Sequence, residues 1–152
     1  MSARTALLAT ATVTILCAVL GLLYNAQSLA VGLGGGFAEI VRDHEMRHFY
    51  VAFYTMSAVC IAGYLALLVG GVELVRRRPW AAGLLVGVWI FELLYFFVVG
   101  ALWRVTAISA SVAGATGVAN GGLMAQFFIL LPIWGPVVVL WARRRAASTS
   151  AA

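Results

Sequence analysis

His44-Glu45-Met46-Arg47-His48 satisfies the H-E-x-x-H spacing and contains both histidines of the chain. On a helix, histidines four residues apart point the same way and can share one zinc or iron ion. The Glu45 carboxylate between them would then act as the catalytic group on a metal-bound water. A catalytic zinc also needs a third protein ligand and an open position. There is no further His, and at about 100° per residue Glu39 and Asp43 fall on the far side of such a helix. The third ligand would have to be Asn25, Gln27, Asn120, a backbone carbonyl or a residue of another subunit. Glu45-x-x-His48 is also half of a di-iron carboxylate site, whose other half one chain does not contain. The plainer reading is a polar seam. His44 and His48 share a helical stripe with Phe37, Ile40, Val41, Val51, Thr55, Ala58 and Ala62, opposite Glu39, Arg42 and Asp43. That stripe is expected to face the helix bundle, with the histidines at its mouth. No cofactor is required on this reading; on the other, zinc or iron sits at His44 and His48.

Glu92, in "VWIFELLYFF", is the second residue whose type demands a reason. It stands near the middle of an apolar stretch, about 18 Å from either end at 1.5 Å per residue. A carboxylate facing hydrocarbon there is costly, so it must face the interior, carry a proton or find a partner. Tyr64 and Thr14 fall at a similar depth, and Gln126 nearer the outside. The functional reading is a proton relay, or an anchor for a lipid or cofactor headgroup. The alternative is one interhelical hydrogen bond that fixes packing.

These residues are carried by an unusually apolar chain. Of 152 residues 64% are hydrophobic and 10% charged, and the mean hydropathy is +1.03, far beyond what a soluble domain of this length uses. Four stretches are each long enough to cross about 30 Å of hydrocarbon as a helix: Thr5–Tyr24, Phe49–Val72, Trp80–Trp103 and Ala119–Trp141. The expected fold is all-α, an integral membrane four-helix bundle. One domain spans 1–145, followed by a disordered tail over 146–152.

All ten basic residues are arginines. If the spans alternate, Arg4, Arg76–Arg78 and Arg143–Arg145 share one side, while Arg42, Arg47 and Arg104 share the other with Glu39, Asp43 and Glu45. Positive flanks stay inside, so both termini are expected in the cytoplasm, with 25–48 and 104–118 outside. The expected location is a bacterial cytoplasmic membrane, crossed several times. The formal charge of +5 is a topology signal with affinity for anionic headgroups. No basic stripe on a soluble face supports nucleic-acid binding.

Along the chain, the first span is longer than a signal-peptide core, and Tyr24 stands where cleavage wants a small residue, so it is expected to be retained. Thr10, Thr12 and Thr14 can bond back to their own helix. The run "GLGGG" at 32–36 breaks the helix. No breaker then follows until Gly63, which predicts a second helix extended beyond the bilayer on the outer side. Pro79 suits a helix start. Pro132 and Pro136 predict a kink in the last span, and Glu73 can pair with Arg77 at i, i+4. Gly83/Gly87 and Gly117/Gly121 are small-residue pairs of the kind that lets helices approach closely. Cys17 and Cys60 fall near mid-span, with no C-x-x-C redox motif.

The order of "LYNAQSL", "RHFYVAFYTMSAV" and "FELLYFFVVGA" resembles small four-span sterol-biosynthesis scaffold proteins, which tether C4-demethylation enzymes in a membrane. The glycine-rich loop and "HEMRH" depart from that pattern. The resemblance covers the whole chain and implies a tether without catalysis of its own. The leading expectation, from the absence of a complete site, the very short soluble parts and the small-residue helix faces, is a non-enzymatic scaffold or accessory subunit, with the lipid bilayer, other membrane proteins or further copies of itself as partners. The alternatives are a metal-dependent membrane enzyme at His44/His48 and a small proton-coupled transporter around Glu92.

Overall fold

The computed structural model describes residues 2–43, 49–105 and 133–145. Regular structure among them is entirely helical: α1 (Ala3–Leu33), α2 (Ala38–Asp43), α3 (Phe49–Val75), α4 (Ala81–Val105) and a helical stretch over 133–145, α5. α1 and α3 are each long and apolar enough to cross a membrane. His44, Glu45, His48, Gln126, Gly117, Gly121, Pro132, the loop from 106, the span over 119–132 and the tail over 146–152 lie outside the described residues.

α1 starts where Ser2 Oγ accepts the Thr5 N–H at 3.1 Å, closing one of the donors a helix start leaves open. Thr10 and Thr12 hydroxyls donate to carbonyls four residues back at 2.9 Å, and Thr14 does so at 2.8 Å. Their polarity is thereby hidden inside an apolar helix, as expected. The helix does not stop near Tyr24 but runs on to Leu33. Asn25 keeps to it by donating to the Gly21 carbonyl at 2.8 Å. The break falls at the glycine run: Gly36 N–H reaches the Val31 carbonyl at 2.9 Å, and Gly35 takes φ +78°, a conformation glycine adopts without steric cost.

The packing face of α1 is made of small residues. Ala6, Thr10, Ala11, Thr14, Ala18 and Gly21 are buried, while Leu16 and Leu23 are 57% and 62% exposed. Large apolar groups outside and small ones inside is the reverse of a water-soluble helix. It is what close approach of backbones in lipid requires. α1 and α3 run antiparallel on this face: Gly71 of α3 lies against Ile15 and Ala11, and Gly32 of α1 lies against the Phe53 ring.

At the α2 end, Phe37 stands edge-on to Phe49 and Phe53, with centroids 5.6 and 5.3 Å away. Leu29 and Val41 pack on the same aromatic pair. This corrects the expected packing stripe of α3. Val51 is 71% exposed, and Thr55, Ala58 and Ala62 are exposed with it. The buried face is instead Phe49, Phe53, Ser57 and Leu67. Two phenylalanine rings offer far more contact than Val, Thr and Ala, and they take the side facing α1. Phe37 and Val41 of that stripe do pack inward, and His44 and His48 themselves lie outside the described residues.

α3 ends at a Schellman turn: Arg78 N–H bonds the Glu73 carbonyl at 3.0 Å and Arg77 N–H the Leu74 carbonyl at 3.1 Å. Arg77 takes the left-handed conformation, φ +59°. Glu73 therefore pairs with Arg76 at 2.8 Å and Arg78 at 3.8 Å, not with Arg77 as i, i+4 spacing suggests. Pro79 and Trp80 complete the turn, and α4 begins at Ala81. Arg143 of α5 donates to the Pro79 carbonyl. With α1 and α3 antiparallel, Arg4 and the runs 76–78 and 143–145 share one end of the molecule. Cys17, Ala18, Leu67, Ala82, Leu85, Trp89 and Val139 form one core cluster drawn from α1, α3, α4 and α5.

Candidate functional site

Glu92 sits about 16 Å from the start of α4 and about 20 Å from its end, at 1.5 Å per residue. Its carboxylate is in electrostatic reach of Cys17 on α1 and of Cys60 and Tyr64 on α3. Tyr95, one turn further along α4, accepts a hydrogen bond from the Cys60 thiol at 3.8 Å and interacts electrostatically with Tyr64. α1, α3 and α4 thus place a carboxylate, two phenols and two thiols at a similar depth of an apolar structure, with Cys60 and Tyr95 in hydrogen-bond contact. Glu92 and Tyr64 are the pair expected from depth. Tyr95 was not singled out, although i, i+3 from Glu92 puts it on the same side of α4.

Each partner is positioned by a local cause. The Tyr64 ring lies flat over Gly21, where a Cβ would overlap it. The Tyr95 ring stacks with Phe91 at 6.0 Å and 30°. Cys17 is 8% exposed, and both cysteines are free thiols. Among the described residues no three of His, Cys, Asp and Glu come close enough to hold a metal ion. Cys17, Cys60 and Glu92 are therefore not a metal centre.

The missing element is positive charge. The ten arginines all fall outside the apolar stretches 5–41, 49–75, 79–103 and 105–142, and there is no lysine. The nearest in sequence to Glu92 is Arg104, about 18 Å along α4. The apolar stretches themselves carry no basic residue, so a carboxyl such as Glu92 must hold a proton or meet a partner from elsewhere.

Beside the cluster, α3 and α4 separate to leave a groove of about 470 Å³. Its walls are Val59, Ala62, Gly63 and Ala66 of α3, with Gly83, Leu84, Gly87, Val88 and Phe91 of α4. A Cβ at Gly63, Gly83 or Gly87 would meet nothing within 4 Å. Among the described residues the Gly83/Gly87 pair opens onto the groove and meets no neighbouring helix. Asn25, one suggested metal ligand, uses its amide nitrogen on the Gly21 carbonyl. The placing of His44, Glu45, His48 and Gln126 lies outside the described residues.

No protein-family model, curated protein or solved structure matches the chain.

Proposed function

We propose that the chain is a four-span integral membrane protein of a bacterial cytoplasmic membrane, and that it works as a small proton-coupled transporter around Glu92. The membrane reading is supported by the two long apolar helices and by small-inside, large-outside packing on α1. In this reading α4 is the third span and α5 the described part of a fourth over 119–141, with the arginine-rich end in the cytoplasm. One observation carries the transport reading: Glu92 lies at mid-depth of α4 within electrostatic reach of Cys17, Cys60 and Tyr64, and the apolar stretches carry no basic residue. A carboxyl so placed holds either a proton or a cationic solute, one at a time, and exchange of the two couples their movements.

Reconstituted vesicles with a trapped pH dye test this. An imposed proton gradient should dissipate faster with the protein than without it, and Glu92→Gln should abolish the difference. Flux that survives Glu92→Gln would sink the reading.

A second reading, the non-enzymatic scaffold or accessory subunit, is favoured by the unfilled small-residue groove between α3 and α4. It is also what the sterol-scaffold resemblance implies. Purification in mild detergent should then retain a membrane protein in fixed stoichiometry, released by Gly87→Leu.

A further inference from the structure

The arginine-rich end is assembled from three parts of the chain. Gly71 of α3 lies against Ala11 of α1. Arg4 stands seven residues before Ala11 and Arg78 seven after Gly71, which sets both at one level. Arg143 of α5 donates to the Pro79 carbonyl in the turn after α3, 64 residues away in sequence. The runs Arg76–Arg78 and Arg143–Arg145 thereby meet side by side.

Seven arginines gather at this end, and one carboxylate answers them. Glu73 bonds Arg76 at 2.8 Å and approaches Arg78 at 3.8 Å, while both of those arginine side chains stay largely exposed. The other four acidic side chains stand elsewhere: Glu39 and Asp43 on α2, Glu45 between α2 and α3 in sequence, and Glu92 about 16 Å inside α4. Apolar surface adjoins these charges. Val75, Trp80, Leu140 and Trp141 are all exposed, and the Arg145 guanidinium lies 4.8 Å over the Trp141 ring.

We propose that this end binds the phosphate headgroup of an anionic phospholipid, held between the turn 76–80 and the end of α5. The proposal rests on the membrane reading and is independent of the transport reading.

Charge and surface together select that chemistry. Every cation here is a guanidinium, whose planar fork matches phosphate oxygens two bonds at a time. A zwitterionic lipid would bring its own cation to a place that already holds seven against one carboxylate. A soluble polyanion such as RNA would meet the arginines and leave the exposed tryptophans and aliphatic side chains unmet. A molecule with a negative head and a hydrocarbon body meets both, with Trp80 and Trp141 at the level where head and body join.

The test mixes the full chain, stripped of lipid in a nonionic detergent, with phosphatidylglycerol or with phosphatidylcholine of the same acyl chains. Native mass spectrometry should retain one phosphatidylglycerol per chain, saturably, and at least tenfold less phosphatidylcholine. Arg77→Gln with Arg144→Gln leaves the Glu73 pairs and the Arg143 bond in place. That variant should weaken binding at least tenfold, with its unfolding temperature without lipid as in the parent protein; the same two positions changed to Lys should lose less. Arg42→Gln, at the α2 end, should bind as the parent does. An equal loss in Arg42→Gln overturns the proposal, since bulk charge and no particular place would then do the binding. Glycerol phosphate or a uridine oligomer bound as tightly as the lipid also overturns it, and makes this end a site for soluble phosphates or for RNA. Absence of phosphatidylglycerol binding overturns it too. In that case a chain that stays in vesicles through an alkaline carbonate wash keeps the membrane reading, and one that washes off loses that reading along with the lipid site.

Discussion

The Tyr64 ring occupies the space that any side chain at position 21 would need. Glycine there lets α3 bring a phenol against α1, into reach of Cys17 and Glu92. Gly21→Val should push the ring aside. Overpacking of this kind costs about 1–3 kcal/mol, read as a lower unfolding temperature in detergent. Tyr64→Phe keeps the ring and should unfold near the parent temperature. Parent-like stability in Gly21→Val would show that the ring does not sit where it is placed.

Arg77 holds a left-handed conformation, φ +59°, in the turn after α3. For an ordinary L-residue this costs about 1–2 kcal/mol, and glycine escapes it. Arg77→Gly should therefore raise stability by up to about 1 kcal/mol, the flexible unfolded chain taking back part of the gain. Its neighbours Arg76 and Arg78 keep their pairs with Glu73. Destabilisation on chemical unfolding would mean that the guanidinium contributes more than the strain removes.

The histidine pair remains a matter of donors. His44 and His48 are the only imidazoles of the chain, and a closed or catalytic zinc site needs at least one protein ligand more. Elemental analysis of purified protein should find neither zinc nor iron in fixed ratio, and His44→Ala should change neither metal content nor unfolding. A stoichiometric metal that disappears in His44→Ala would restore Glu45, His44 and His48 as a metal centre.

What could be read from the sequence follows from how exclusive each signal is. A carboxylate in a run such as "VWIFELLYFF" has few explanations, so Glu92 stood out, and depth alone added Tyr64. The threonine back-bonds and the glycine break were legible because each is local chemistry. Tyr95 and its contact with Cys60 were not, because nothing in an apolar helix marks one tyrosine or cysteine as facing another helix. The packing face of α3 failed for the same reason. That helix is apolar all round, so no polar stripe marks its outer side, and the choice fell to ring size at Phe49 and Phe53. Small residues were equally ambiguous: on α1 they turn inward, whereas Gly83 and Gly87 on α4 turn to the open groove.

The contact between α4 and α5 makes the last prediction. Trp89 is fully buried, and its indole N–H finds no acceptor among the described residues. Its six-membered ring lies against Gly135, where a Cβ would approach to 2.9 Å. Two effects therefore oppose each other in Trp89→Phe. The smaller ring leaves a void, which costs stability, but it also removes a buried donor whose unmet bond costs about 1–3 kcal/mol. The net change should be small, within about 1 kcal/mol. Gly135→Ala alone should cost about 1–3 kcal/mol by collision with the indole. In the Trp89→Phe background the same alanine has room, so the two changes should compensate. A double-mutant cycle read by unfolding in detergent measures this coupling. Simple additivity would mean that α5 does not pack on α4 at this point, and the four-helix core would lose its fourth member.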